Sequence, residues 1–229
     1  MIVSALTERF PNDIIVSEED HIHKDATTKD RVWLIDPIDG TENYISNDGQ
    51  YAVMIGLVVK TTPVFGWVYA PAFRTLYFGG QDYGTWRSKD QAPPQRVGPL
   101  KELEVESVAR VIMGFRDRKA NPWVKEHPKV VLVKTGSIGL KVAKVLENEA
   151  DVFVHLSGKL KTWDTAGPAA IALGNQLDVG TLETDDLPFD ISKVRQECSI
   201  IMGRPGALRW SRTYLKEPGK VHCENGTNN

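Results

Sequence analysis

The sequence predicts a layered, mixed α/β fold with an N-terminal α+β half at residues 1–105 and a C-terminal α/β half at residues 106–229. Three observations support this fold class. Strand-like runs follow one another closely from residue 51 to residue 78, whereas later strand-like runs alternate with helical segments. A polar, proline-containing stretch at residues 88–105 separates the two patterns. With 229 residues, of which 41% are hydrophobic, the chain can bury a full core.

The first half begins with a helix and continues with strands. Apolar side chains recur at helical spacing within residues 1–10, which predicts a helix that starts at the first residue. Short apolar runs at 14–16 and 32–35 predict two strands, each with acidic residues at its end. Residues 51–78 are rich in β-branched and aromatic residues and predict an antiparallel meander, to which residues 83–86 add a strand.

The second half contains strands separated by helices. The strand-like runs lie at residues 109–115, 130–133, 152–154 and 199–202. One helix has a clear apolar stripe, formed by Ile138, Val142, Val145 and Leu146. This stripe leaves Lys141 and Lys144 off the apolar face.

Composition limits the classes of partner. The formal net charge is -2, which gives no general attraction for nucleic acid or an anionic membrane, so we expect a small-molecule partner. Cys198 and Cys223 are too few for a disulfide framework and read as free thiols. No apolar run reaches the length of about 18 residues that a membrane span needs. We expect a cytoplasmic protein that is a monomer or a homodimer.

The strongest local signal is the segment WLIDPIDGTENY at residues 33–44. Here an apolar strand ends in two carboxylates, Asp36 and Asp39, three residues apart. Pro37 and Gly40 stiffen the turn and allow close backbone approach, so the two charges can point to one place. Holding like charges together costs free energy unless a cation compensates them.

The donor atoms in this segment are all oxygens. Asp36, Asp39 and the backbone carbonyl of Ile38 suit a hard cation such as Mg²⁺ better than zinc. Thr41 adds a hydroxyl beside them. Taken alone, the same sequence is also good turn chemistry, and that alternative stays open.

Two further motifs bear on this choice. Residues 17–20 (Ser-Glu-Glu-Asp) follow a short strand and offer a third carboxylate, although an acidic triplet there is also typical of a solvated loop. Asp164, in the segment Trp-Asp-Thr-Ala-Gly at 163–167, precedes a small-residue helix and could equally be its N-cap.

Together, in this order, the three motifs resemble those of the inositol monophosphatase superfamily: an acidic pair after a strand, DPxDGT, and WD before a helix. The resemblance covers residues 1–210 and includes GWVYAPAFRTLYFG at 66–79. It is closest to the bisphosphate nucleotidase branch. It implies the layered sandwich shared by inositol monophosphatases and fructose-1,6-bisphosphatases.

The resemblance also implies a set of site residues and a cofactor, two or three Mg²⁺ ions per site. The implied metal ligands are Glu18, Asp36, Asp39, Asp164 and the carbonyl of Ile38, with Asp36 bridging. Of the acidic pair, Glu18 is favoured over Glu19. The hydroxyl of Thr41 would orient the attacking water with a carboxylate, and the amides of Gly40 and Thr41 would hold phosphate oxygens. Lithium inhibition is implied as well.

Substrate choice depends on a second anion site. Residues 135–153 resemble the nucleotidase branch, and Gly136, Ser137 and the helix N-terminus could bind a second phosphate with Lys141 as countercharge. Lys161 is a further candidate contact. Lys141 could instead be a surface lysine, and Lys159 and Lys161 could lie in a solvated loop.

The predicted function is that of a Mg²⁺-dependent 3'(2'),5'-bisphosphate nucleotidase that removes the 3'-phosphate of adenosine 3',5'-bisphosphate by attack of an activated water. Inositol monophosphatase and fructose-1,6-bisphosphatase activities are the alternatives. The family's N-terminal helix and loop before the acidic pair are expected to be absent here. A truncated, inactive member that binds nucleotide or metal is therefore a further hypothesis, and so is a structural module whose acidic turns are only caps.

Overall fold

A computed structural model describes residues 1–19, 30–190 and 192–216. Within them, two sheets and several helices form the layered α/β arrangement that the sequence predicts. The helices are α1 (Ile2–Arg9), α2 (Thr41–Ile45), α3 (Phe115–Ala120), α4 (Trp123–Glu126), α5 (Ile138–Leu146), α6 (Thr162–Gly174) and α7 (Ala207–Tyr214).

The first sheet lies entirely in the N-terminal part of the chain and is almost wholly antiparallel. Its described strands, in spatial as well as chain order, are β1 (Ile14–Ser17), β2 (Arg31–Asp39), β3 (Ala52–Val59), β4 (Thr62–Ala70), β5 (Thr75–Gly80), β6 (Gly84–Lys89) and β7 (Gln95–Arg96). Only the β1–β2 pair is parallel among these strands. The carboxyl ends of β1 and β2 therefore lie at the same edge, where Glu18 follows β1 and Asp39 ends β2.

The second sheet is mixed and lies in the C-terminal part. Its described strands are β8 (Ala109–Ile112), β9 (Val130–Val133), β10 (Val152–His155), β11 (Asp178–Gly180) and β12 (Ile200–Gly203), in the spatial order β11-β12-β10-β8-β9. The pairs β10–β8 and β8–β9 are parallel, and the pairs with β12 are antiparallel.

Most predicted elements are confirmed. The first helix, the two acid-ended strands, the meander with its extra strand, and the later strand-like runs all occur close to their predicted positions. Strand β11 has no counterpart in the sequence prediction, because a three-residue strand with one bulky apolar residue gives too short a pattern to detect.

Helix α6 lies directly on the first sheet, because glycines remove the side chains that would separate them. A Cβ added to Gly66 of β4 would lie 2.2 Å from the carbonyl oxygen of Gly167, and one added to Gly56 of β3 would lie 2.5 Å from the Cβ of Ala166. Such distances leave no room for any side chain. This contact fixes the start of α6, and with it Asp164, against the strands that carry the other acidic residues.

The two predicted halves share a core. One buried cluster joins residues of the first sheet, such as Leu34 and Met54, to Val142 of α5 and Ala166 of α6. A second cluster, which includes Trp210 of α7, lies on the other side of the second sheet. The first sheet ends at Arg96 and the second begins at Ala109, and helices that follow Ala109 in the chain pack on the first sheet.

Two further observations concern membrane-spanning helices and the cysteines. None of the described helices is both long and apolar enough to pass through a bilayer. Cys198 is partly buried, and Cys223 lies outside the described residues.

Candidate functional site

The turn after β2 buries two carboxylates. Asp36 is 1% exposed and Asp39 is 8% exposed. The pairing of β2 with β3 is interrupted between them, where Pro37 cannot donate a hydrogen bond. The amide of Ile38 donates to Asp36 Oδ1 at 3.0 Å, and Gly40 follows with a φ of 90° that favours glycine. The local sequence therefore builds a rigid acidic turn.

Asp36 lies at the centre of the acidic group. The pKa of its carboxyl is raised to about 9. Burial is the largest cause, and the negative charges of Asp39, Asp164 and Glu18 contribute the rest. Four carboxylates that are up to 146 positions apart in the chain thus lie close enough for their charges to interact. The structure brings the predicted acidic residues together.

Glu18 and Asp164 meet at Lys161. Glu18 follows β1, and its Oε1 lies 3.5 Å from the ammonium nitrogen of Lys161. Asp164 Oδ2 accepts a hydrogen bond from the backbone amide of Lys161 at 2.8 Å. The N-cap of α6 is Lys161, so Asp164 is not the N-cap but the third residue of the helix, where its side chain accepts from the N-cap amide as the acidic residue of a capping box does.

The Asp164 carboxyl is also unusual in its protonation. Burial raises its pKa to about 7, together with the charges of Asp39 and Glu18 and against the opposing hydrogen bond from Lys161. Burial is thus the main reason that this carboxyl binds a proton more tightly than an exposed aspartate, and the neighbouring carboxylates add to the effect.

Asp39 is held by the N-terminus of α5. The amide of Gly139 donates to Asp39 Oδ2 at 3.0 Å, and the Ser137 side chain and the Ile138 amide also hydrogen-bond to the carboxylate. Burial raises the pKa of Asp39, although these bonds and the charge of Lys141 act to lower it. The anion at this helix terminus is therefore a side chain of the protein itself.

Lys141 lies inside the protein. It is 3% exposed, and its ammonium group donates to the carbonyl oxygen of Gly136. Burial lowers the pKa of Lys141 to about 8, against the attraction of Asp39, so the side chain still carries a charge at neutral pH. The alternative that Lys141 is a surface lysine is therefore wrong: it is off the apolar stripe, as predicted, but faces the acidic pocket.

Gln50 anchors the loop before α5. Its side-chain oxygen accepts from the Gly136 amide at 2.8 Å, and its backbone oxygen accepts from the Ser137 amide at 3.0 Å. A Cβ on Gly136 would lie 2.3 Å from that backbone oxygen. Ser137 also caps α5 by accepting from the Leu140 amide. Sequence reasoning did not identify Gln50, whose only signal is its place in a loop before a strand.

The remaining predicted residues surround the acidic turn. Thr41 begins α2, is exposed, and donates from its hydroxyl to the Ile38 carbonyl at 3.2 Å. Gly40, just before it, lies against Gln50 and Ser137. The predicted phosphate-binding amides and the predicted carbonyl ligand are thus adjacent.

A buried network supports the loop that carries Lys161. Asp117, at 2% exposure in α3, accepts from the amide of Leu156 at 3.0 Å and from the hydroxyl of Ser157. His155 Nδ1 lies 3.8 Å from Asp117, and its Nε2 accepts from the Lys159 amide. Sequence reasoning missed this network, because neither Asp117 nor His155 belongs to a recognisable motif.

The acidic group fits a hard cation. Its side-chain donors are all carboxylate oxygens, and two of them have pKa values raised to about 9 and about 7 by burial and mutual repulsion, which a divalent cation would relieve. Within residues 1–19, 30–190 and 192–216, however, no three or more histidine, cysteine, aspartate or glutamate side chains are placed closely enough to hold a metal ion as they stand. The carboxylates therefore lie near one another, but they are not arranged around a single ion position.

A separate cavity of about 450 Å³ lies beside α5. It shares Gln50 with the wall of the acidic pocket, but Glu18, Asp36, Asp39 and Asp164 do not line it. Its floor is an ion-pair network in which Glu147 accepts from Tyr77 and Arg87, both at 2.8 Å or less.

Comparison with known proteins agrees with this arrangement. The family model described as "Inositol monophosphatase family" matches residues 1–175. The chain is 33% identical over 178 residues to the 3'(2'),5'-bisphosphate nucleotidase CysQ of Haemophilus influenzae. The aligned region covers 76% of this chain and 64% of that protein. It is 30% identical to the protein of the same name from Aggregatibacter actinomycetemcomitans over 93% of this chain and 78% of that protein. The chain therefore spans slightly less than two thirds of the first of these relatives.

Solved structures show the same fold. Inositol monophosphate-bound SaIMPase-II superposes with a TM-score of 0.75 at 24% identity, over 93% of this chain and 80% of that one. CysQ from Bacteroides thetaiotaomicron superposes with a TM-score of 0.71, also at 24% identity, over 88% of this chain and 80% of that one.

Proposed function

Since the chain belongs to the inositol monophosphatase family, we propose that it is a Mg²⁺-dependent phosphomonoesterase of the 3'(2'),5'-bisphosphate nucleotidase type. The observation that supports the proposal is that the carboxylates of Glu18, Asp36, Asp39 and Asp164, of which Asp36 and Asp39 are buried, lie close enough for their charges to interact. Caps and turns alone would not require four carboxylates that repel one another.

In this proposal the carboxylates hold the metal. Glu18, Asp36 and the Ile38 carbonyl would bind one Mg²⁺, and Asp36, Asp39 and Asp164 would bind another. When bound, such ions neutralise phosphate oxygens, lower the pKa of a water and stabilise a leaving alkoxide. The hydroxyl of Thr41 now donates to the Ile38 carbonyl, and it would turn to orient the attacking water when that carbonyl is a ligand.

Other groups would hold the phosphate. The amides of Gly40 and Thr41 lie at the start of α2, beside the acidic turn, where they can donate to phosphate oxygens. Lys161 is partly exposed next to Glu18 and could contact the same anion. The proposed partner is this small substrate, for a chain that is a monomer or a homodimer, and Li⁺ is proposed to inhibit.

The relatives support adenosine 3',5'-bisphosphate, cut at the 3'-phosphate, as the substrate, since both sequence relatives are named bisphosphate nucleotidases. The second candidate is an inositol monophosphate, which is bound in a structural neighbour. Burial of Lys141 weakens the argument for a second cationic pocket at α5, so substrate choice rests mainly on the relatives.

Phosphate release tests the proposal. Adenosine 3',5'-bisphosphate, inositol 1-phosphate and fructose 1,6-bisphosphate would each be supplied with Mg²⁺ and with a chelator. We expect Mg²⁺-dependent release, fastest from the first. Glu18→Gln should reduce kcat by about 100-fold or more, because it removes a charged ligand. Its neighbour Glu19 is exposed, so Glu19→Gln is the matched control and should retain activity.

The same panel tests the competing hypotheses. Fastest release from inositol 1-phosphate would replace the nucleotidase assignment by the monophosphatase one. No release from any substrate, with Mg²⁺ still raising the melting temperature, would favour the inactive binding member. A melting temperature that does not respond to Mg²⁺ would leave only a structural module.

A further inference from the structure

Lys141 is a charged side chain with no route to a substrate in this structure. It is 3% exposed, and its ammonium group bonds to the Gly136 carbonyl inside the loop before α5. The charge that most favours its protonated form is that of Asp39, followed by that of Asp164, whereas Arg118 opposes protonation. A substrate phosphate would have to displace a protein hydrogen bond and enter a closed space to reach it.

The helix N-terminus beside Lys141 is also engaged. The amides of Gly139 and Ile138 and the side chain of Ser137 all bond to the Asp39 carboxylate. The groups that would bind a second phosphate are thus already satisfied by an internal anion. Lys141 and the N-terminus of α5 thus both favour the ionised form of Asp39, and both belong to α5.

We propose that Lys141 is a positioning residue whose built-in positive charge balances Asp39, which keeps the acidic pocket assembled without metal and weakens the binding of the cation that Asp39 helps to hold. This inference rests on the proposed metal-dependent function. It assigns Lys141 to the metal pocket and not to substrate recognition.

The charges in the pocket explain why such a residue is useful. The charges of the four carboxylates interact, and two lysines oppose this repulsion: Lys161 pairs with Glu18, and the charge of Lys141 acts on Asp39. A buried carboxylate without compensation is costly. A fixed ammonium near a cation site also repels the incoming cation, so the same charge that stabilises the metal-free pocket lowers its metal affinity.

The test compares Lys141→Met with Lys144→Met. Methionine keeps most of the length of the side chain and removes the charge. Lys144 lies three residues along α5 and pairs with Glu149, away from the pocket, so its variant controls for the loss of a helix lysine. Mg²⁺ binding would be measured by titration calorimetry without substrate. We expect Lys141→Met to bind Mg²⁺ about tenfold more tightly, and Lys144→Met to bind as the wild type does.

Thermal melting in a chelator provides the second readout. Lys141→Met should melt at a lower temperature than the wild type without metal and should gain more on adding Mg²⁺. Ser137→Ala removes a neutral hydrogen bond to Asp39, so it should lower both melting temperatures without tightening Mg²⁺ binding. If Lys141→Met binds Mg²⁺ equally or more weakly while folded, the proposal is wrong.

A double variant that removes both opposite charges keeps the test informative if the single variant misfolds. If Lys141→Met does not fold, the double variant with Asp39→Asn removes both charges, and recovery of folding supports the proposal whereas failure of both contradicts it. A wild type that binds no Mg²⁺ would instead overturn the proposed function. The chelator melts would then still decide whether Lys141 stabilises Asp39.

Discussion

Asp36 shows how strongly burial and neighbouring charges act on one carboxyl group. The carboxyl is 1% exposed, and burial together with three neighbouring carboxylates raises its pKa to about 9. In the unfolded chain the same group titrates near 3.8. Over the interval between these pKa values, the folded protein binds more protons than the unfolded one.

The metal-free protein should therefore lose stability as pH rises. The stabilisation from protonated Asp36 is fully present below its unfolded pKa of 3.8 and is lost as pH approaches about 9, and Asp164, with a pKa of about 7, acts in the same direction. Urea unfolding in a chelator at about pH 6 and about pH 8.5 would measure the difference.

Two additions control this measurement. In Asp36→Asn the slope with pH should become shallower, and in saturating Mg²⁺ it should reverse or vanish, because a bound cation favours the ionised carboxyls. Stability that rises with pH in the chelator would contradict the raised pKa values.

Single residues differ in how well the sequence predicts them. Asp36, Asp39 and Asp164 were predictable as candidates because each stands in a motif next to a strand or helix end, and the structure brings them together. Their metal roles remain predictions. The burial of Lys141 and the hydrogen bonds of Gln50 depend on how α5 packs against a distant strand, which no local pattern contains.

At the scale of elements, the contact between α6 and the first sheet sets the position of Asp164. Gly66 of β4 touches the backbone of Gly167, and an added Cβ would lie 2.2 Å from its carbonyl oxygen. Because the obstacle is backbone and not a flexible side chain, α6 itself would have to move. Movement of α6 would carry Asp164 away from the acidic turn.

Gly66→Ala should therefore destabilise the protein by roughly 3 kcal/mol and weaken Mg²⁺ binding. Denaturant unfolding and titration calorimetry would measure the two effects. Gly98→Ala is the control, because an added Cβ there meets nothing within 4 Å. Equal unfolding free energies for the two variants would show that the sheet tolerates a more distant α6.

The elements themselves follow from periodicity where they are long or regular. The meander was predicted because residues 51–78 are rich in β-branched and aromatic residues, and in the structure β3 alternates buried and partly exposed residues along its whole length. Strand β11 and the contact of α6 with the sheet were not predicted, since the first is too short and the second is set by glycines in three separate elements.

On the scale of the whole molecule, one buried cluster crosses the predicted boundary between the halves. Val142 of α5 and Ala166 of α6 pack in the same cluster as Leu34 and Met54 of the first sheet. If the two halves separated, part of this buried cluster would become exposed to solvent.

We therefore expect one cooperative unfolding transition in a chelator. Tryptophan fluorescence reports on both sheets through Trp33 and Trp210, and far-ultraviolet circular dichroism reports on the backbone; the two should give coincident denaturant curves. Two separated transitions would instead show that residues 1–105 and 106–229 unfold as independent domains.

The two carboxylate oxygens of Asp164 have different surroundings. Oδ2 is occupied by the Lys161 amide at the first turn of α6, which leaves Oδ1 for any ion. Ligation through one oxygen would keep the helix start intact, so the ion's distance from the sheet is dictated by backbone, not by a swinging side chain. In the proposed function, an ion bound here would connect the turn after β2 to the first turn of α6.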